Sequence, residues 1–339
     1  MSYSSKSIYH LIPAILTPQI TQGLKSIEKN WLARHERDSS LILYHYTSFE
    51  GLSGILANRA IWCSHISSFN DPLEFQYGKS LVVQELKSIS NNTHEHEIDS
   101  FLEWLIDHME VFEYIYNAYI ACFCESDNLL SQWRGYGASG GGYNVGVAFE
   151  SDTKFSHDIE NIDDNDEENH VILRKIIYNQ KEQKILIKKV VQVLVESASK
   201  GLAEFKKQDN LPEAWPQMAS MQAINILYDI VLSLKHPAFE EEAEWRLIKT
   251  IQEGYKPQLF NFQERKGRLT SYLNTYIFTQ EEDYLQFPVE SIRFGPTLDE
   301  KITRQSLNLL VNKLTAEASI IKINATNISI ESSGYNLRP

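Results

Sequence analysis

The run LILYHYTS (Leu41–Ser48), followed by FEGLSGIL (Phe49–Leu56) and AIWCSHI (Ala60–Ile66), decides the fold class. The first piece is rich in aromatic and branched side chains and reads as a strand. Thr47-Ser48-Phe49-Glu50 fits a capping box, with Thr47 as the N-cap and Glu50 reaching back. Leu52, Ile55 and Leu56 then give the second piece one apolar helical stripe, and the third piece returns to strand. Strand, helix and strand in quick succession predict an α+β protein.

The same alternation continues outward. SSFNDPLEF (67–75) is a turn, with Pro72 suited to the first position of a new helix. Helical patterns run on to about residue 113, interrupted at NNTHEHEID, and YNAYIACFC (116–124) is strand-like. The glycine-rich SQWRGYGASGGG leads into YNVGVAFE, where Tyr143, Val145, Val147 and Phe149 alternate onto one face. VILRKIIYN, EWRLIKTI (244–251), ESIRFG and SIIKINATNI are further strand candidates. Thr297-Leu298-Asp299-Glu300 caps a helix to about residue 314. The acidic HDIENIDDNDEENH (157–170) reads as a solvated loop, and residues 1–40 as a mostly helical extension. Residues 41–339 then form one domain, with the two long helical patterns at about 180–235 as an insertion.

Composition narrows the classes. With 42% hydrophobic and 23% charged residues the chain is an ordinary globular one. A formal charge of −13 opposes broad, nonspecific nucleic-acid binding, which needs Lys and Arg for phosphates, although a local basic patch stays open. The start lacks a basic segment followed by an apolar core, and no stretch reaches about 18 apolar residues, so no leader and no membrane span are expected. Three cysteines (Cys63, Cys122, Cys124) are too few and odd in number for a disulfide framework, which suits a reducing cytoplasm. No metal is expected.

Three islands put reactive side chains where an ordinary core has no use for them. His45, on a strand face with Leu41 and Leu43, is either a satisfied core histidine or a donor to a ligand hydroxyl. Ser131-Gln132-Trp133-Arg134-Gly135-Tyr136-Gly137 offers an exposed stacking surface and a planar phosphate donor, or else aromatics that simply pack. In Glu244-Trp245-Arg246 the two charges share a strand face, as a surface ion pair or as a carboxylate held ionised for catalysis.

Together LYHYTSFEGLSGIL, IWCSHISSFNDPLEF, LLSQWRGYG and EWRLIK, with SIRFGP and the ending SSGYNLRP, resemble the bacterial family called Domain of Unknown Function 2971, over residues 41–339. That family is similar to ADP-ribosyltransferases. The resemblance implies a split, mostly antiparallel β core of ADP-ribosyltransferase type, wrapped by helices, with NAD in the cleft. It implies His45 on a ribose hydroxyl and Glu244 on the nicotinamide-ribose 2′-hydroxyl, where it stabilises the oxocarbenium-like transition state. Tyr136 is the expected third catalytic residue, with Tyr143 and Ser64 as alternatives for the middle position. Arg134 is expected on the pyrophosphate. Tyr46, Thr47, Ser64, Gln132, Trp133, Tyr143 and Arg246 complete the expected NAD-contacting set. The implied activity is ADP-ribosyl transfer from NAD to a protein or nucleic-acid acceptor, or plain NAD hydrolysis, as a toxin or phage-defence effector with a possible antitoxin partner. The alternative is a non-catalytic module that keeps the cleft to sense a nucleotide or bind a protein. That alternative predicts a Glu244 tied up by Arg246.

Overall fold

A computed structural model describes residues 41–335 apart from 70–73, 112–116, 137–140, 160–170, 210, 252–255, 266, 297–298 and 318. The predicted extension at 1–40 lies outside the described residues, as do Asn70, Asp71 and Pro72. The described residues divide into two compact units: one takes 74–111 and 177–238, the other 41–69, 117–176 and 239–335. The helices at 180–235 are therefore part of a unit that also draws in 74–111. Sequence periodicity shows that each helix has an apolar stripe. It does not show which stripes close on one another.

The first unit is helical: α2 (Glu74–Ser90), α3 (His96–Glu110), α5 (Gln180–Lys207) and α6 (Trp215–Val231). Val82, Leu86, Phe101, Leu105, Leu186, Val190, Leu194, Leu227 and Tyr228 are buried here. Each such burial is worth about 1.5–3 kcal/mol. Gln183 pins the chain ends of this unit. Its Nε2 donates to the carbonyls of Ile177 at 2.7 Å and Lys235 at 2.9 Å, and its Oε1 accepts from the Tyr77 hydroxyl at 2.7 Å.

The second unit carries the sheet. Its strands are β1 (Leu41–Thr47), β2 (Ala60–His65), β3 (Ala118–Cys124), β4 (Tyr143–Phe149), β5 (Lys154–Ser156), β6 (Val171–Lys175), β7 (Glu244–Thr250), β8 (Phe260–Arg265), β9 (Arg268–Gln280), β10 (Leu285–Gln286), β11 (Val289–Phe294), β12 (Ile321–Lys322) and β13 (Ser329–Ser332). The main path runs β12-β10-β9-β2-β3-β1-β4-β11-β13, antiparallel except for the β10–β12 and β11–β13 pairs. Along one edge β3 pairs with β7 over its whole length. Its other edge is shared: β2 meets it at Tyr119 and Ile120, and β1 meets it at Cys124. The sheet branches there, around Ala121–Phe123.

One face of the sheet is closed by α1 (Phe49–Asn58) and α7 (Glu300–Ala316). Leu52, Ile55 and Leu56 of α1 and Leu307, Val311 and Leu314 of α7 join Leu43, Phe123, Val145, Val147, Trp245 and Leu247 in one core. The α1 N-cap is Ser48, one residue later than predicted: its hydroxyl accepts from Gly51 N at 3.3 Å. Thr47 instead continues β1 in register with Tyr143. The long β8–β9 hairpin, turned at Gly267 with a φ of 75°, has no counterpart in the sequence expectations.

Candidate functional site

The register assigns every candidate to a face, because directly opposed residues point the same way and neighbours along a strand point opposite ways. Tyr44 opposes Cys124, and Cys124 opposes Glu244. Tyr44, Tyr46, Cys122, Cys124, Glu244 and Arg246 therefore share one face. Thr47 opposes Tyr143, and His45 opposes Val145. His45, Thr47 and Tyr143 thus occupy the face closed by α1 and α7. His45 and Glu244, expected in one cleft, sit on different faces with β3 between their strands.

His45 is half-buried at the branch in the sheet. Its Nδ1 lies 2.9 Å from the carbonyl oxygen of Cys122, and its ring centroid 5.6 Å from that of Phe123. A carbonyl only accepts, so Nδ1 carries the proton in this bond. The histidine thus caps a β3 carbonyl at the level where β1 and β2 part.

Glu244 and Arg246 are closed in. Arg246 Nε donates to Glu244 Oε1 at 2.7 Å and its second guanidinium nitrogen to Oε2 at 3.2 Å. Their side chains are 5% and 0% exposed. β7 is an inner strand, paired with β3 on one side and β6 on the other, and the face that carries Glu244 and Arg246 is covered as well. The expected surface position is corrected accordingly: EWRLIK alternates like a half-exposed strand but is covered throughout. Arg174, also buried, stands directly across from Arg246 on β6. Burial holds the Cys124 thiol up at about 11, reinforced by Glu242, Glu125 and Glu244, so it is not a thiolate at neutral pH.

The glycine-flanked island is a short helix, α4 (Leu130–Tyr136). Trp133 is 0% exposed, which corrects its expected role as an exposed stacking surface. It packs with Tyr46 and Cys124, its ring 4.9 Å from Tyr46 and edge-on, and its Nε1 donates to Asn128 Oδ1 at 2.9 Å. The sequence signal was the helical spacing of Leu129 and Trp133, joined by a backbone bond of 3.1 Å. Gln132 is buried too, while Arg134 and Tyr136 at the far end of α4 are exposed. Tyr46 is fixed from both sides. Its hydroxyl donates to Ser126 O at 2.9 Å and accepts from Leu129 N at 2.8 Å, and burial pushes its pKa up.

Ser64 is buried on β2 opposite Ile120, which in turn opposes Ile248. It shares a face with Glu244 but lies several residues along the sheet from it, so the expected trio is not assembled. Tyr143 is half-buried beside the exposed Phe49, with ring centroids 6.1 Å apart. Burial, then the Glu50 carboxylate, raises the pKa of its hydroxyl. Among the described residues no group of His, Cys, Asp and Glu could hold a metal ion, and no helix is long and apolar enough to cross a membrane.

Sequence reasoning missed the polar network behind α4. Asn144 donates to Asp127 O at 2.9 Å, and Arg293 reaches Asp127 at 2.5 Å, Ser332 O at 2.7 Å and the Glu331 carboxylate. Its traces in the sequence are the polar Asn144, which alternates with the apolar positions of YNVGVAF, and the turn chemistry of Ser126-Asp127-Asn128.

No curated protein and no solved structure matches the chain. One family model does match, over residues 132–247, which begins within α4, ends within β7 and takes in α5 and α6 between them. Across that stretch, which holds both the Trp133–Arg134 and the Glu244–Arg246 islands but not His45, the chain is similar to the family described as "Protein of unknown function (DUF2971)".

Proposed function

We propose that this protein binds a nucleotide of the NAD or ADP-ribose class without cleaving it, as a sensing module. The observation that carries the reading is the state of Glu244. A carboxylate that stabilises an oxocarbenium-like transition state must reach the ribose. Both oxygens of Glu244 are taken by the Arg246 fork inside a covered strand. Holding a buried carboxylate this way balances a buried guanidinium, which is a structural service. His45, bonded to the Cys122 carbonyl on the opposite face, serves the sheet in the same manner.

The groups suited to binding are, by contrast, accessible. Arg134 offers a planar fork to a pyrophosphate from the end of α4, and Tyr136 beside it offers a face for a ring. Tyr143, Thr47 and Phe49 sit at the adjoining ends of β4, β1 and α1. The residues that would hold the ligand are reachable, and the residue that would break it is sealed.

Calorimetric titration with NAD and with ADP-ribose, for the wild type and Arg134→Ala, tests the binding half. The expected result is saturable binding of both, weakened in the variant. Binding of neither nucleotide would refute it.

A further inference from the structure

The surface that carries Arg134 and Tyr136 is held by Ser333–Tyr335, the stretch that follows β13. After β13, Ser333 N donates to Phe294 O at 2.9 Å, which keeps the tail against β11. Gly334, with a φ of 68°, turns it back. The Tyr335 hydroxyl then donates to Asn128 O at 3.1 Å, and Asn128 Nδ2 donates to Ser333 O at 2.9 Å. The other end of the Asn128 amide accepts from the indole of Trp133, the buried anchor of α4. One side chain therefore joins the C-terminal tail to the helix that presents the binding groups. From the opposite side, Tyr46 and Asn144 hold Ser126, Asp127 and Leu129 of the same loop.

We propose that Asn128 is a positioning residue for the ligand surface, and that the tail Ser333–Tyr335 works through it as a strap whose seating is coupled to ligand binding. The coupling rests on the binding role assigned above to Arg134 and Tyr136. α4 is a short helix, too short to hold its own geometry in water, so its orientation depends on such anchors. An amide that bonds on both ends transmits a shift of the tail to Trp133, and from there to the residues that follow it. Any such coupling is reciprocal: if the seated tail favours the ligand, the ligand favours the seated tail.

The test uses the full chain beside three variants: truncation after Ser332, Tyr335→Phe and Asn128→Asp. Asn128→Asp keeps the acceptor for Trp133 and removes the donor to Ser333, which separates the two ends of the link. Amide hydrogen exchange is followed in α4, in the tail and in β3 and β7, with and without saturating NAD, and NAD affinity is measured by titration. Truncation is expected to speed exchange in α4 by about tenfold, the loss of two modest hydrogen bonds, while β3 and β7 keep their rates. NAD affinity falls in parallel in all three variants, and NAD slows exchange at Ser333–Tyr335 in the full chain. Unchanged α4 exchange after truncation, or a uniform acceleration that includes β3 and β7, overturns the strap. If the full chain binds no NAD, the binding reading fails, and the exchange pattern of α4 alone still decides whether the tail positions it.

Discussion

Removing Glu244 should cost more stability than removing Glu244 and Arg246 together. The salt bridge is bidentate, at 2.7 and 3.2 Å, between side chains that are 5% and 0% exposed. Deleting one partner of such a buried pair leaves the other charge without this counter-ion, a loss of about 3–5 kcal/mol. That is a large share of the roughly 5–15 kcal/mol by which a folded protein is stable. Replacing both partners by apolar groups of similar size is often nearly neutral. The assay is urea unfolding of the wild type, Glu244→Leu, Arg246→Met and the double variant. Contacts that either residue makes elsewhere are lost equally in its single and double variants, so the cycle isolates the mutual term. Each single variant is expected to lose about 3–5 kcal/mol, and the double variant less than either. A cost below about 1 kcal/mol for Glu244→Leu, or additivity within about 0.5 kcal/mol, would refute the assignment of Glu244 to a structural pair.

Other perturbations separate binding from folding. Arg134→Ala should weaken NAD binding by about ten- to a hundredfold, the worth of a charged hydrogen bond, and leave the urea midpoint unchanged because Arg134 is exposed. An unaltered affinity would remove Arg134 from the site. Gly146→Ala should destabilise by about 1–3 kcal/mol, since an added Cβ would stand 2.3 Å from Ser291 Oγ and 2.9 Å from the Tyr44 ring; wild-type stability in that variant would contradict the packing of β4 against β1 and β11. His157 is buried among Thr275, Asn274 and Lys249, and burial, then the Lys249 charge, pulls its pKa down to about 3. The folded protein thus keeps this imidazole neutral while the unfolded chain protonates it below about 6.5. Stability should fall as pH drops from about 6.5 toward 3, by up to about 1.4 kcal/mol per unit from this residue. His157→Gln should flatten that slope, and an identical slope in the variant would exclude His157 as its source.

The opening of the sheet unit was legible because its signals are local. Alternation marks β1, β2 and β4, and Leu52, Ile55 and Leu56 mark the buried stripe of α1. The cap moved by one residue because Thr47 and Ser48 are both good caps, and only strand pairing keeps Thr47 extended. What was not legible depends on neighbours that sequence does not name. Glu244 reads as half-exposed because charge alternation does not tell whether the second face of the strand is covered, and in β7 both faces are. His157 and Asp158, expected in a solvated acidic loop, are buried, while residues 160–170 of that loop lie outside the described chain. The glycines after Trp133 mark a loop, in which an aromatic reads as exposed, while the helical spacing from Leu129 places it inside. The tail network was not legible as a network: Arg293 and Tyr335 lie in the SIRFGP and SSGYNLRP segments, but nothing in either segment names Asn128, which is far away in sequence, as the partner.

On the proposed function the nucleotide is bound and left whole. The most direct measurement is to hold the protein with saturating NAD, with and without cell lysate, and follow free nicotinamide by chromatography. Bound NAD is expected to be recovered intact, with nicotinamide at the level of the protein-free control. Nicotinamide released in proportion to protein, and lost in a folded Glu244→Gln variant, would contradict it and return Glu244 to catalysis.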